Sequence, residues 1–220
     1  MDRRHTLLLA TAATLAASCG SSGSDPTPGP GTPLATSTLV DIDTSITTDG
    51  IVPLPVTVDG RISAVFDRYA ELTAPSGRRV HFLSQGSVPD ALLFRVRGLV
   101  AQHIANAPGT SLGADKSAVF DTMAQNQATL VLYESSATFD PLDADVERFL
   151  TFFNGLVVAI DASTIVQEGS PEYLAPQPSV DMSFDETVQF AHLFGISKAA
   201  TQFTCLLYTS PSPRDEQFHL

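Results

Sequence analysis

Two short, uninterrupted apolar runs, Ala128–Tyr133 and Leu156–Ile160, constrain the fold of this chain most strongly. Runs of this length are typical of strands buried on both faces, because a half-exposed strand alternates apolar and polar residues. With 43% hydrophobic residues, the chain has the side chains to build the core that such strands need. The two runs therefore predict a sheet that is covered on each side by other elements.

Helical periodicity surrounds these two runs. The pair Ser87 and Asp90 is typical of a capping box and predicts the start of a helix that ends near Ala107–Gly109. The apolar face of this helix comprises Leu92, Val96, Leu99, Val100, His103 and Ile104. Three further segments show helical spacing of apolar residues: Asp115–Asn126, Asp143–Phe153 and Asp181–Ile196.

Turn chemistry predicts a β-hairpin upstream of the helices. Ala64–Leu72 and Arg79–Leu83 flank a turn at Ala74–Gly77 that contains proline and glycine. Leu39–Val58, before the hairpin, is predicted to be an irregular, β-rich lead-in. The order hairpin, two helices, strand, helix, strand, loop, helix predicts a single α+β domain with a small mixed sheet over residues 39–204.

The N-terminus has the organisation of an export signal. Arg3 and Arg4 precede the apolar run Leu7–Ala17, which is too short to span a bilayer as a mature helix. The sequence LAASCG, which overlaps the end of this run, resembles a bacterial lipoprotein signal, in which residues 1–18 are removed and Cys19 is lipidated. Ordinary secretion with cleavage nearby and an uncleaved anchor are the alternatives.

A linker separates this signal from the predicted domain. Residues 19–38 are rich in Gly, Ser and Pro, a composition that gives a flexible chain with locally stiff segments. Such a linker would hold a folded domain away from the membrane to which Cys19 is attached. By the same resemblance, Gly20 beside the cysteine, in place of Asp, favours the outer membrane or the cell surface.

The charge balance excludes one class of partner. The chain carries 12 Lys and Arg against 24 Asp and Glu, a formal net charge of −12, and its basic residues form no cluster. A nucleic-acid-binding surface or an anionic-lipid surface needs concentrated positive charge. We therefore expect no nucleic-acid partner, and contact with a membrane only through lipid at Cys19.

The C-terminal residues have a different character. Cys205–Asp215 reads CLLYTSPSPRD, which resembles a translated sequencing-library adapter of the kind attached by a transposase. We expect residues 205–220 to derive from such an adapter, so that residues 39–204 are a domain whose C-terminal part is missing. A genuine Pro/Ser-rich tail is the alternative. With Cys19 lipidated and Cys205 in the adapter, no pair of cysteines remains for a disulfide.

Asp181–Ile196 is the segment most typical of a site-bearing helix. Ser183 or Asp181 can cap its start, and Gly195 is predicted to end it in a left-handed conformation. Its predicted apolar face comprises Phe184, Val188 and Ala191.

A carboxylate, an amide and an imidazole follow one another along this helix. Glu186, Gln189 and His192 lie three residues apart, a spacing that predicts neighbouring positions on one side of the helix. The group is a candidate for metal binding or acid–base chemistry. The alternative is a solvated face with a histidine at the C-terminal end, where its cation suits the helix dipole.

Four other residues have weaker claims to function. His81, in the second hairpin strand, and His103, beside an apolar helix face, are predicted to be structural. Ser111 lies in a G-x-S-x-G pattern, but a helix and a proline precede it where a hydrolase nucleophile needs a strand, so a loop is predicted. Asp161 follows a buried strand and is predicted to stabilise a turn or cap a helix.

Four pieces of the chain resemble a family of uncharacterised exported bacterial proteins of metallopeptidase-like type. They are VPDALLFRVRGLV, GADKSAVFDTMAQNQATLVLY, EGSPEYL and DMSFDETVQFAHLFGI. The last helix of that family tends to read E-x-x-H-x-x-H, which implies a metal site. Zinc is the candidate metal, and the absence of any cofactor is the alternative. Glu186 and His192 match the pattern, whereas Gln189 stands in place of the first histidine and is a poor transition-metal ligand.

Two functions follow as hypotheses. The first is a lipid-anchored envelope or surface lipoprotein whose domain is a non-catalytic binding module. The second is a metal-dependent, peptidase-like hydrolase with an incomplete site and zinc as the candidate metal, in which His192 is a metal ligand and Glu186 a ligand or general base. The first is favoured because no full catalytic set is present in the sequence.

Overall fold

The computed structural model describes residue 39 and residues 41–110, 113–135, 157–167, 169–171, 173–174 and 181–199. Five strands in these residues form one mixed sheet whose spatial order follows the chain. They are β1 (Val52–Pro53), β2 (Arg68–Thr73), β3 (Arg79–Ser84), β4 (Thr129–Tyr133) and β5 (Val157–Asp161). Strands β1, β2 and β3 pair antiparallel, whereas β3, β4 and β5 pair parallel.

The described residues contain five α-helices, of which the first was not predicted. They are α1 (Gly60–Ser63), α2 (Asp90–Ile104), α3 (Ser117–Gln125), α4 (Met182–Ala191) and α5 (Ser197–Ala199). A 3₁₀ turn at Ala162–Thr164 follows β5, and a π-helical turn at His192–Ile196 joins α4 to α5. The prediction of a single α+β domain with a small mixed sheet is confirmed.

One face of the sheet packs against the three longer helices. Ala70 and Phe82 contribute to this face from the hairpin, and Leu130, Leu132 and Ile160 contribute from the parallel strands. The helices supply apolar side chains to the same cluster: Leu92, Leu93, Val96, Val100, Ile104, Met123, Ala124, Phe190, Ala191 and Phe194. Burial of this apolar surface is the main favourable term in folding.

The lead-in covers the opposite face of the sheet. Residues from the lead-in and α1 pack against Tyr69, Leu83 and Val131. The covering side chains are Leu39, Ile42, Val52, Val58, Ile62 and Phe66. Every residue of β4 is buried, which confirms that this strand is covered on both faces. The predicted β-rich character of the lead-in is mostly wrong, because β1 is its only strand among the described residues and spans just Val52–Pro53.

The predicted hairpin is confirmed, with a different start. Strands β2 and β3 pair from Arg68↔Ser84 to Thr73↔Arg79, and Gly77 has a φ of 80° in the turn between them. Glycine suits this turn because other residues adopt positive φ only at a cost. The residues predicted to begin the first strand, 64–67, lie between α1 and β2, and periodicity did not reveal α1.

The capping box predicted at the start of α2 is wrong. Pro89 occupies the N-cap position, and no side chain caps this helix. The Val88 amide donates to the Gln85 carbonyl oxygen at 3.0 Å, and this turn leaves Ser87 outside the first turn of the helix. Proline suits the position because its φ is already fixed near the helical value.

Several predicted features lie outside the described residues. They are the signal over 1–18 with Cys19, the linker over 19–38, Ser111, the helix at Asp143–Phe153 and the segment 205–220. Within the part of the chain that the structure covers, no helix has the length and apolarity to cross a bilayer.

Candidate functional site

Asp181 fixes the start of α4. Its Oδ1 accepts hydrogen bonds from the Ser183 amide at 3.0 Å and the Ser183 hydroxyl at 2.6 Å. Its Oδ2 forms an ion pair with Arg95 of α2. Of the two caps open from the sequence, Asp181 is therefore the one used, and it also ties α4 to its neighbouring helix.

The apolar face predicted for this helix is partly wrong. Phe184 and Val188 are 53% and 42% exposed, whereas Ser183 and Thr187 are fully buried. The small polar side chains can be buried because the Thr187 hydroxyl donates to the Ser183 carbonyl oxygen at 2.7 Å. Ala191 is buried as predicted.

His103 of α2 contacts Thr187 and Phe184 of α4. Its Nε2 lies 3.1 Å from Thr187 Oγ1, and its ring packs edge-on against Phe184 with centroids 5.2 Å apart. Burial, and then the charge of Lys116, lower the pKa of His103. These contacts agree with the structural role predicted for this histidine.

Gly195 does not end the helix in a left-handed conformation, so that prediction is wrong. It lies inside the π-helical turn, where a Cβ atom would be 2.7 Å from Val119 Cγ1 and 2.9 Å from Met123 Cγ. Glycine is needed here because the turn approaches α3 too closely for any side chain. The helical path therefore continues into α5.

Glu186 lies near the carboxyl ends of β4 and β5. Burial, and then the charge of Asp185, raise the pKa of Glu186. The pKa of Tyr133 is raised to about 12, first by burial and then by the charges of Asp161 and Glu186. Tyr133 and Asp161 are register partners at the ends of these two strands.

Asp161 serves a local structure, as predicted. Its carboxylate accepts from the Ser163 amide at 2.8 Å and from the Ser163 hydroxyl at 2.6 Å, and so caps the 3₁₀ turn.

His192 occupies the junction between α4 and the π-helical turn. The residue is partly buried, and its Nε2 has no hydrogen-bond partner among the described residues. A buried nitrogen without a partner carries a cost in free energy, which makes His192 the unusual member of the predicted group.

Glu186 and His192 are six residue steps apart, which on a regular α-helix amounts to about 9 Å along the axis and about 120° around it. Gln189, between them, is exposed. Among the described residues, no three His, Cys, Asp or Glu side chains are grouped so as to hold a metal ion. The described residues alone therefore do not make up the metal site that the family resemblance implies.

A buried polar chain on the lead-in side of the sheet was not predicted. The Tyr69 hydroxyl donates to Glu71 Oε2 at 3.0 Å and lies 2.9 Å from His81 Nδ1. Arg79 Nε lies 3.2 Å from the same Glu71 oxygen. Burial, and then the charge of Arg79, lower the pKa of His81 to about 3, so the ring is neutral.

A cavity of about 330 Å³ opens beside this chain, at the amino ends of β3 and β4. Its lining residues are Gly77, Arg78, Arg79, His81, Ala124, Gln125 and Gln127. They come from the hairpin turn, β3, the last turn of α3 and the connection from α3 to β4. Hairpin register alone indicates that Glu71 and His81 lie opposite each other, but the approach of residues 124–127 depends on the parallel pairing of β3 with β4.

Comparison with protein-family models, curated proteins and solved structures finds no match to this chain. Functional conclusions therefore depend on the residues themselves.

Proposed function

We propose that this protein is a lipid-anchored envelope or surface lipoprotein whose folded domain is a non-catalytic binding module. The anchor is supported by the charged start, the short apolar run and Cys19, followed by the linker over residues 19–38. The lipid would hold the domain at the membrane, and the linker would give it reach.

The separation of Glu186 from His192 is the observation that supports a non-catalytic domain. Metal-assisted hydrolysis needs ligands that converge on one ion and a base close to the bound water. Here the six residue steps from Glu186 to His192 place the imidazole about 9 Å further along the helix axis than the carboxylate and about 120° around it.

The second candidate is the zinc-dependent, peptidase-like hydrolase. Two observations favour it: His192 Nε2 has no hydrogen-bond partner in the described part of the chain, and burial raises the pKa of Glu186. A raised carboxyl pKa is common in general bases. This candidate requires further metal ligands from outside the described residues.

Lipid labelling tests the proposed anchor. We expect a bacterial host that expresses the full chain and is fed an alkyne analogue of palmitate to label the protein. Cys19→Ser should abolish the label and move the protein out of the membrane fraction. Cys205→Ser is the matched control, because it removes the other cysteine of the chain and should leave the label unchanged. Label that persists in Cys19→Ser, or an unlabelled wild-type protein in the soluble fraction, would contradict the proposal.

A further inference from the structure

The cavity at the amino ends of β3 and β4 combines three kinds of polar group. Arg78 and Arg79 supply positive charge, Gln125 and Gln127 supply side-chain amides, and His81 supplies a neutral imidazole. A volume of about 330 Å³ suits a small organic molecule. Nothing in the proposed anchoring uses these residues.

Hydrogen bonding inside the sheet determines which ring nitrogen of His81 can accept a hydrogen bond from a ligand. The Glu71 carboxylate can only accept, so the Tyr69 hydroxyl donates to it. The Tyr69 oxygen must then accept from His81, which places the ring proton on Nδ1. The other nitrogen, Nε2, is left as an acceptor on a residue that lines the cavity.

The two arginines differ in their partners. Arg79 is neutralised by Glu71, and its Nη1 also donates to the Ile42 carbonyl oxygen at 3.3 Å. Arg78 is exposed and has no ion pair among the described residues. In a chain of net charge −12, this guanidinium is a local site of positive charge at the mouth of the cavity.

Gln127 has an unusual backbone conformation at the rim. Its φ of 53° makes it the one non-glycine residue with positive φ in the described structure. The Gln127 amide donates to the Ala124 carbonyl oxygen at 3.1 Å, and the Thr129 hydroxyl donates to the Gln127 carbonyl oxygen at 3.0 Å. The Ala128 amide also donates to the Met123 carbonyl oxygen at 3.0 Å, so the positive φ is that of a Schellman motif that ends α3 and places Gln127 beside the cavity.

We propose that this cavity binds a small organic carboxylate that also carries a hydroxyl or N–H group. The carboxylate pairs with Arg78 and the side-chain amides, while the hydroxyl or N–H donates to Nε2 of His81. Two groups of opposite hydrogen-bonding character at one site select such a ligand over a simple anion. The proposal depends on the domain being a binding module and is independent of the anchor at Cys19.

Three matched probes test the ligand class. Mandelate has both a carboxylate and a hydroxyl, phenylacetate lacks the hydroxyl, and mandelamide lacks the charge. Each is titrated into the full chain, purified in detergent, while backbone amide NMR signals are followed. We expect mandelate to bind with a millimolar Kd and to shift the amides of Gly77 and Gln127. Phenylacetate and mandelamide should each bind about tenfold more weakly, the loss expected for about 1.4 kcal/mol.

Two substitutions test the placement of the ligand. Arg78→Gln should weaken mandelate binding about tenfold, and Gln127→Asn, which tolerates the left-handed backbone, should weaken it severalfold. Arg68→Gln is the matched control, because this arginine is paired with Asp90 and does not line the cavity.

Three results would overturn the inference: no shift at Gly77 and Gln127 with mandelate, equal binding of all three probes, or equal effects of Arg78→Gln and Arg68→Gln. None of them would alter the lipid labelling of Cys19, so failure of this inference is distinguishable from failure of the anchor.

Discussion

His81 is a titratable side chain held neutral inside the sheet. It is 1% exposed, and its Nδ1 is hydrogen-bonded to the Tyr69 hydroxyl. The positive charge of Arg79 acts on the ring as well. Both burial and the positive charge disfavour the imidazolium, so the folded-state pKa falls to about 3 from an ordinary value of 6.5. The stabilising effect of the neutral ring is therefore complete above pH 6.5 and is lost as the pH falls towards 3.

We predict that the free energy of unfolding falls between pH 6 and pH 4.5 by about 1.4 kcal/mol per pH unit through His81. In this interval the unfolded chain binds a proton at residue 81 that the folded chain excludes. Urea denaturation at several pH values measures the slope.

His81→Phe should flatten that slope, whatever its effect on stability at pH 7. His103→Phe is the control, because His103 is only partly buried and should contribute less to the slope. An unchanged slope in His81→Phe would show that the ring is protonated in the folded protein.

For single residues, the sequence predicted whether a side chain has a structural role better than it predicted which side chains contact each other. His81 and His103 were predicted to be structural, and their contacts with Tyr69 and Thr187 agree. The predicted grouping of Glu186 with His192 was based on a spacing of three, which drifts by about 60° around the helix at every step. A spacing of four stays closer to one side, and that is the spacing that lets two helical side chains share a metal ion.

The junction of α4 and α5 depends on one glycine. Gly195 lies in the π-helical turn and lets this turn pack against Val119 and Met123 of α3. Phe194, beside it, is buried and packs edge-on against Phe190 with centroids 5.4 Å apart. The π-helical turn therefore contributes buried residues to the core and also connects α4 to α5.

We predict that Gly195→Ala lowers the free energy of unfolding by about 1–3 kcal/mol, because the new methyl group overpacks the contact with α3. Gly98→Ala in α2 is the matched control, since nothing lies within 4 Å of a Cβ built there. That change should raise stability by up to about 1 kcal/mol through helix propensity. Thermal or urea denaturation measures both. Equal effects of the two substitutions would mean that α3 and the turn do not pack closely.

Elements with strong local signals were predicted well. The hairpin, α2, α3, β4 and β5 all occur within a few residues of their predicted positions. The buried face of α4 was not predicted, because Ser183 and Thr187 satisfy their hydroxyl groups within the helix and pack against α2. Hydrophobic periodicity predicts that a face with Ser183 and Thr187 is exposed to solvent. The packing of α4 against α2 buries it instead.

For the whole molecule, the lead-in and the helices cover opposite faces of one sheet. Arg97 of α2 links these layers, because its guanidinium donates to the carbonyl oxygens of Asp49 and Gly50. The α+β class was predictable from the order of the elements. The change from antiparallel to parallel pairing at β3 was not, since it depends on where α2 and α3 return the chain. The cavity beside His81 is formed by that return and was therefore not predictable from local sequence.

Zinc content tests most directly whether the domain is a binding module or a metal-dependent hydrolase. The full chain is loaded with zinc, exchanged into metal-free buffer and analysed for bound metal, alongside His192→Ala and the control His103→Ala. We predict that all three proteins retain far less than one equivalent, because Glu186 and His192 do not converge. One tightly held equivalent in the wild type and in His103→Ala, lost in His192→Ala, would contradict the non-catalytic function and establish a metal site on this helix.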